Sequence, residues 1–318
     1  MKRRSTILIF ACLVVGFALP LLAQQKGQWV PGQYGLNAGV IPDPGFTYVN
    51  IALNYSAGQL NDFNGNARPN IVGTYSFWVD ENIFMYVPKY KILGGYFAPY
   101  AAVNVANGSL VADLQGTNLG LNGGGSGLAD TFVAPVNLAW HFKRADFNAG
   151  YAFVAPTGRF TPLANNNVGS GYWGNNFTTG TTYYITKNKG TSANLFTDWE
   201  FHGKKSGINI TPGQTFTMEW GLGQILPLKK DFSRLLQVGL IGYDQWQVSS
   251  NGGLTRSFPF YSSHAIGFQT NFIMPAKGLS LFFKFEDAYR ALATTKGRTI
   301  VFGGAWTLRI PKPVPPKT

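Results

Sequence analysis

Between residues 129 and 158 hydrophobic and polar positions alternate with period two. Phe132, Ala134, Val136, Leu138, Trp140 and Phe142 share one parity, while Thr131, Asn137 and His141 share the other with the small Ala139. A polar turn from Lys143 to Asp146 follows, after which Phe147, Ala149, Tyr151 and Phe153 alternate with Asn148, Gly150 and Ala152. Period two broken by a tight polar turn predicts a β-hairpin with one oily face. The polar parity is also the small one, as expected when bulky apolar side chains meet lipid and small polar ones crowd a lumen.

The same rule recurs. Phe216, Met218, Trp220 and Leu222 oppose Thr215, Thr217, Glu219 and Gly221, and Leu279, Leu281, Phe283 and Phe285 oppose Ser280, Lys284 and Glu286. Near the end Ile300, Phe302, Trp306, Leu308 and Ile310 oppose Val301, Gly303, Ala305, Thr307 and Arg309. Asp244 breaks the rule by falling on the apolar parity, which calls for a bulge or a position beyond the lipid. The pattern predicts twelve strands, at 47–58, 71–87, 91–106, 130–142, 146–157, 175–187, 191–202, 213–228, 232–249, 261–274, 279–290 and 297–310. Through the first ten, long gaps (59–70, 107–129, 159–174, 203–212, 250–260) alternate with short ones (88–90, 143–145, 188–190, 229–231, 275–278). Outer-membrane barrels keep periplasmic turns short and extracellular loops long, so the alternation also orients the chain. Lys89, Lys91, Lys143, Arg144, Lys187, Lys189, Lys229, Lys230 and Lys277 cluster at the short turns. They are read as solvated positions that discourage edge pairing.

Composition narrows this to one fold class. Among 318 residues, 15% are aromatic and only 13% charged, with 39 glycines. Lys2, Arg3 and Arg4 precede an apolar run from Ile7 to Leu22, and Ala23 stands before Gln24. That predicts a cleaved signal peptide, residues 1–23. Cys12, the single cysteine, leaves with it, so the mature chain has no disulfide, thiolate nucleophile or cysteine metal site. Net charge falls from +12 to +9, spread among turns without the basic run of a nucleic-acid footprint. No later apolar run reaches the ~18 residues of a membrane helix. A membrane protein of this kind must therefore be a closed barrel. The expected fold is all-β: a single antiparallel transmembrane β-barrel of about twelve strands at 47–310, with a Pro/Lys-rich tail at 311–318. Residues 24–46, rich in Gly and Pro and without period, form either a periplasmic leader, the preferred reading, or a plug in the barrel mouth. The competing fold, a soluble sandwich or lipocalin-like barrel, would crowd its core with aromatics and leave its surface short of charge.

Signals for chemistry are sparse. GGGSG at 123–127 fails the nucleophile-elbow pattern because Leu128 takes its last position, no zinc-peptidase or phosphate-loop motif is present, and there are three histidines. No catalytic residue, cofactor or metal is therefore assigned. Asp198, Glu200 and His202 share one parity at ~6–7 Å spacing, and Glu219 on the next strand can join them. They are read as a lumen or mouth network answered by Lys284 or Arg290, in preference to a catalytic or cation site. Other lumen-lining candidates are Asn137, His141, Asn148, Tyr243, Gln245, Gln269, Asn271 and Glu286. Tyr172, Trp173, Phe177, Phe258, Phe260 and Tyr261 lie in or beside the long loops as candidates for an aromatic vestibule, or for interface-belt positions.

The hairpin residues Asp130, Pro135, Leu138 and Trp140, with Ala155 to Gly158, resemble the MetA-pathway of phenol degradation family of outer-membrane barrel transporters. Gly35, Leu36, Ala38, Gly39, Pro42 and Gly45, the stretch Leu93 to Gly95, Asn167 to Gly169 with Tyr172 and Trp173, and Gly242, Tyr243 and Gln245 extend the match. The resemblance implies a barrel and passage of small hydrophobic or aromatic solutes, with outer-membrane lipid and the barrel-assembly machinery as partners. It brings no catalytic residues. The chain departs from the usual aromatic C-terminus, since PKPVPPKT follows Ile310. A bacterial outer-membrane channel working by passive diffusion is expected, with a closed structural or surface-interaction barrel, or an outer-membrane enzyme, as alternatives.

Overall fold

A computed structural model describes residues 27–117, 120–254, 256 and 259–309. The signal peptide, Phe258 and the 311–318 tail lie outside the described residues. Twelve strands form the wall: β1 (Gly45–Leu60), β2 (Ile71–Val87), β3 (Tyr100–Leu114), β4 (Thr131–His141), β5 (Ala145–Ala155), β6 (Gly174–Tyr184), β7 (Thr191–His202), β8 (Thr215–Pro227), β9 (Leu235–Gln247), β10 (Ser262–Met274), β11 (Leu279–Leu292) and β12 (Thr295–Arg309). Each pairs antiparallel with its chain neighbours, and β12 returns to β1 with Gly45 opposite Arg309 and Leu60 opposite Thr295. Closure gives each wall strand a partner on both sides, the condition for spanning lipid with strands. Among the described residues no helix is long and apolar enough to cross a membrane, which says nothing of a strand-built crossing.

Short turns gather at one rim and long loops at the other, as the gap lengths predict. The stretch 107–129, expected to be a loop, instead prolongs the wall. β3 runs on to Leu114 beside β2, and Gly120–Leu128 pairs back onto Val105–Asp113. Glycine has no side chain to alternate, so a Gly-rich strand shows no period two. At the seam between β3 and β4 direct pairing covers only Tyr100–Ala102 against Phe132–Ala134, and Gly95–Phe97 extends it with Tyr96 opposite Ala139.

The outward face carries bulky apolar side chains, Phe302 54% and Leu222 54% exposed among them, while Thr215, Thr217 and Val301 are fully buried. On a closed barrel this places large side chains in the lipid and small or polar ones inside. Two departures correct the face rule. In β4 the register slips between Val133 and Val136, so Phe132 and Ala134 turn inward while Val136 faces out. Pro135 sits in the slip, where its missing N–H costs no ladder bond. In β1 and β2 the buried parity is itself apolar, with Ile51, Leu53 and Tyr55, and the outward parity holds a polar island. There Asn50 Nδ2 donates to Asp80 Oδ1 at 2.6 Å, Asn82 Nδ2 to Asp80 Oδ2 at 3.3 Å, and the Tyr48 hydroxyl to Asn82 Oδ1 at 2.5 Å.

Candidate functional site

Residues 27–44 run through the barrel from the loop rim to the turn rim. Gly27 N–H donates to the Tyr261 hydroxyl at 2.6 Å near the loops, and Gly39 N–H donates to Thr182 Oγ1 at 3.0 Å near the turns, before Gly45 starts β1. Trp29, Leu36, Ala38 and Ile41 are buried. A segment without internal secondary structure still has backbone groups to satisfy, and the wall from β5 to β11 supplies the partners.

Glu200 Oε1 accepts Trp29 N–H at 2.5 Å, and Glu219 accepts both Trp29 Nε1–H at 2.8 Å and Tyr34 N–H at 2.7 Å. Asn194 Oδ1 accepts Asn37 N–H at 2.9 Å, Gln269 Oε1 accepts Leu36 N–H at 3.0 Å, and Gln245 and Asn148 donate to the Trp29 and Ala38 carbonyls. Lys284 Nζ donates to the carbonyls of Gly32, Gln33 and Tyr34. Acids thus take the segment's N–H groups and the lysine takes its carbonyls, the charge-assisted pairings that are strongest away from water. Close approach depends on Gly180, where a Cβ would lie 2.1 Å from the Ala38 carbonyl oxygen. Gly180→Val is expected to unseat the segment at a cost of about 1–3 kcal/mol. Faster proteolysis within residues 27–44 of the folded barrel is the readout.

The opposite side of the lumen is oily. Ile51, Leu53, Tyr55, Ala57 and Val301 cluster with Val30, Tyr75, Phe77 and Phe282. Next to them Trp29, Phe132, Phe196, Ala134 and Val154 pack with Tyr34 and Tyr100. Here Tyr34 stacks on Phe196 with centroids 3.9 Å apart, and Trp29 stacks on Phe196 at 5.0 Å.

Most of the sequence-derived lumen candidates converge on this segment or on its polar wall. Asp198 accepts from Asn176, and Asn271 donates to Gln237, which in turn exchanges bonds with Asn37. Tyr243, Asn137 and Glu286 are buried inside. His141 lies at the turn rim, bound to Asp146 at 2.8 Å. His202 donates through Nδ1 to the Gly213 carbonyl and sets Nε2 3.4 Å from Glu200. Glu200 also accepts the Thr215 hydroxyl, so both of its oxygens are engaged on segment and wall. Arg290 is exposed, and Lys284 on the inner face is the cation that faces Glu219, with Glu286 beside it. Among the described residues no group of three or more His, Cys, Asp and Glu is arranged to hold a metal. Sequence reasoning missed Trp29, Tyr34 and Phe196, because the segment has no period and Phe196 sits on the buried parity that the face rule reserves for small polar residues.

The aromatic candidates separate. Tyr172 is 2% exposed and meets the His202 ring edge-on at 5.3 Å, and Tyr261 is buried at the loop rim. Trp173, 57% exposed, and Phe177 face outward instead, near Phe153 and Tyr151, and Phe260 is exposed. The outward rings continue as Phe201, Trp199, Phe216 and Trp246, a girdle of the kind that marks a membrane interface. Lys205, on the loop after β7, lies buried between the Phe160 and Tyr172 rings, and desolvation pushes its amine down from 10.5 to about 8. Since the folded value lies below the unfolded one, stability rises with pH between 8 and 10.5 and does not change through this group below 8. Wild type should gain melting temperature from pH 8 to 9.5 relative to Lys205→Met.

A family model described as Putative MetA-pathway of phenol degradation matches residues 57–302. Among solved structures, the COG4313 outer membrane channel from Pseudomonas putida F1 is similar with a TM-score of 0.70 at 13% identity, covering 88% of this chain and 100% of that one. The beta domain of the Bordetella autotransporter BrkA has a TM-score of 0.52 at 11% identity, covering 84% and 100% of the two chains. The transport unit of the autotransporter AIDA-I from Escherichia coli has 0.50 at 11%, covering 92% and 97%. At these identities the likeness is one of fold. A search of curated protein sequences found no match.

Proposed function

Because the chain belongs to the MetA-pathway of phenol degradation family, we propose that it is an outer-membrane channel admitting small hydrophobic compounds, aromatic ones among them, by passive diffusion. The observation that carries this reading is the two-sided lumen. Its polar wall, β5 to β11, holds residues 27–44 by hydrogen bonds, while the wall at β1, β2 and β12 has an apolar lining of Leu53, Tyr55, Phe77 and Val301, covered by Val30 of the segment, that an apolar solute would use when the segment shifts. An ion passing there would lose hydration along a face whose charged group is the buried Glu81, opposite Ile51. An apolar ring would exchange water for carbon at about 25 cal/mol per Å². The barrel sits in the bacterial outer membrane with its short turns toward the periplasm, which puts Gly27 at the cell surface and Gly39 near the periplasm.

Uptake of a fluorescent aromatic hydrocarbon tests this in vesicles whose outer leaflet is lipopolysaccharide, a layer that slows such compounds. Protein should accelerate entry, and Leu53→Asp should remove most of the acceleration while the barrel remains folded. Entry no faster than into protein-free vesicles would sink the reading. The seated segment favours one other function, a closed structural barrel, and that is the outcome in which wild type and protein-free vesicles coincide.

A further inference from the structure

Asp244, the acid that breaks the face rule, sits on the outward parity of β9, where an unpaired charge is costly. It is fully answered. Its Oδ1 accepts from His264 Nδ1 at 2.7 Å and from the Tyr289 hydroxyl at 3.3 Å, and its Oδ2 accepts from Trp220 Nε1 at 3.0 Å. A carboxylate only accepts, so Nδ1 of His264 carries the proton and Nε2 of the neutral ring is left with a lone pair. That nitrogen lies 3.1 Å from Ser262 Oγ. The register puts Asp244 directly across from His264, with Ser262 two residues along the same face of β10.

The three side chains thus make a hydroxyl, imidazole, carboxylate relay in the order and at the distances that activate a serine nucleophile. A polar island built only to neutralise Asp244 needs the histidine but not a hydroxyl on its second nitrogen. The surroundings indicate what it would act on. The His264 ring meets Trp246 at 5.4 Å and Tyr289 at 6.0 Å, which places the relay in the loop-end aromatic girdle, at the depth where amphiphiles carry their ester groups. The β10–β11 register slips beside His264, leaving Tyr289 without a partner in β10 and Arg290 opposite His264. Both are exposed.

We propose that Ser262, His264 and Asp244 form a hydrolytic triad on the outer wall that cleaves acyl esters of amphiphiles at the lipid boundary. Ser262 Oγ attacks the ester carbonyl while its proton passes to His264 Nε2. The new Oγ–C bond persists as the C–O bond to the alcohol breaks, and Nε2 returns the proton to the departing oxygen. Water, losing a proton to the same nitrogen, then attacks the acyl carbon, the Oγ–C bond breaks as Nε2 returns that proton to Ser262 Oγ, and the carboxylic acid leaves, so water is the sole co-reactant. Asp244 is a positioning residue that holds the ring in its Nδ1–H tautomer. The Tyr289 amide released by the slip and the Arg290 guanidinium are the donors nearest in register for the oxyanion. Ser262 is 5% exposed, and the side chains of His264 and Asp244 are 12% and 14% exposed, so short acyl chains are the first substrates to try.

This activity is independent of passage through the lumen. The full-length folded barrel in detergent, treated with a fluorophosphonate probe, should be labelled at Ser262, and it should hydrolyse p-nitrophenyl butyrate. Ser262→Ala should abolish both while leaving hydrocarbon uptake unchanged, and His264→Gln should slow labelling at least about a hundred-fold. Asp244→Asn should slow labelling and shift its pH profile, with partial rescue by Asp244→Glu. Unheated gel mobility checks that each variant is folded. A folded wild type that shows neither label at Ser262 nor turnover overturns the proposal, as does equal labelling of the folded His264→Gln protein.

Discussion

A protein lacking residues 27–44 is expected to conduct ions in planar bilayers at least about ten-fold better than the intact chain, since twelve strands enclose more space than the side chains of an eight-stranded barrel need to fill. The wall should survive the deletion. β1 begins only at Gly45, and closure depends on the β1–β12 register from Gly45 to Leu60, which the deletion leaves whole. The lumen acids Glu200 and Glu219 would pass from partners on the segment to water. An unchanged conductance from a folded barrel would show that the loops, not residues 27–44, close the path.

The second large effect is at Lys284. The residue is 3% exposed, and its amine donates to three carbonyls of the segment, of Gly32, Gln33 and Tyr34. Glu286, two positions along the same inward face, and Glu219 are buried on the same wall. Lys284→Met keeps the volume but strands those carbonyls and removes the cation facing the acids. Breaking a buried charge system from one side costs about 3–5 kcal/mol. The expected result is a barrel whose N-terminal segment is cut by protease while the strands stay intact, with unfolding in urea shifted to lower concentration. Lys284→Arg, which retains charge and donors, should lose less. If Lys284→Met matches wild type in both measurements, the lysine does not hold the segment.

Much of the wall was legible in sequence because a membrane strand is a local object. Its side chains alternate between two solvents, so Phe216 to Leu222 against Thr215 to Gly221 reads as a strand with no knowledge of its neighbours, and the alternating gap lengths order the strands. The lumen acids were legible by the same parity. Legibility failed where the local signal was erased or reversed. Glycines hid the ribbon at Gly120–Leu128, Pro135 flipped Phe132 and Ala134 inward through a one-residue slip, and the buried parity of β1 proved to be the oily one. The aromatic candidates illustrate the limit: Tyr172 and Trp173 are adjacent in sequence, yet one is enclosed against His202 and the other faces out.

Sequence alone therefore determined a closed antiparallel barrel of twelve strands, because period two, turn spacing and the need to satisfy backbone in lipid act within each hairpin. Tertiary structure decided what the barrel contains and what its wall brings together. The segment 27–44 has no period of its own, and its course follows from hydrogen bonds to residues more than a hundred positions away, Glu219, Gln269 and Lys284 among them. Ser262, His264 and Asp244 likewise meet only because the register of β9 on β10 sets them opposite one another. Register is a relation between strands, and no single strand carries it.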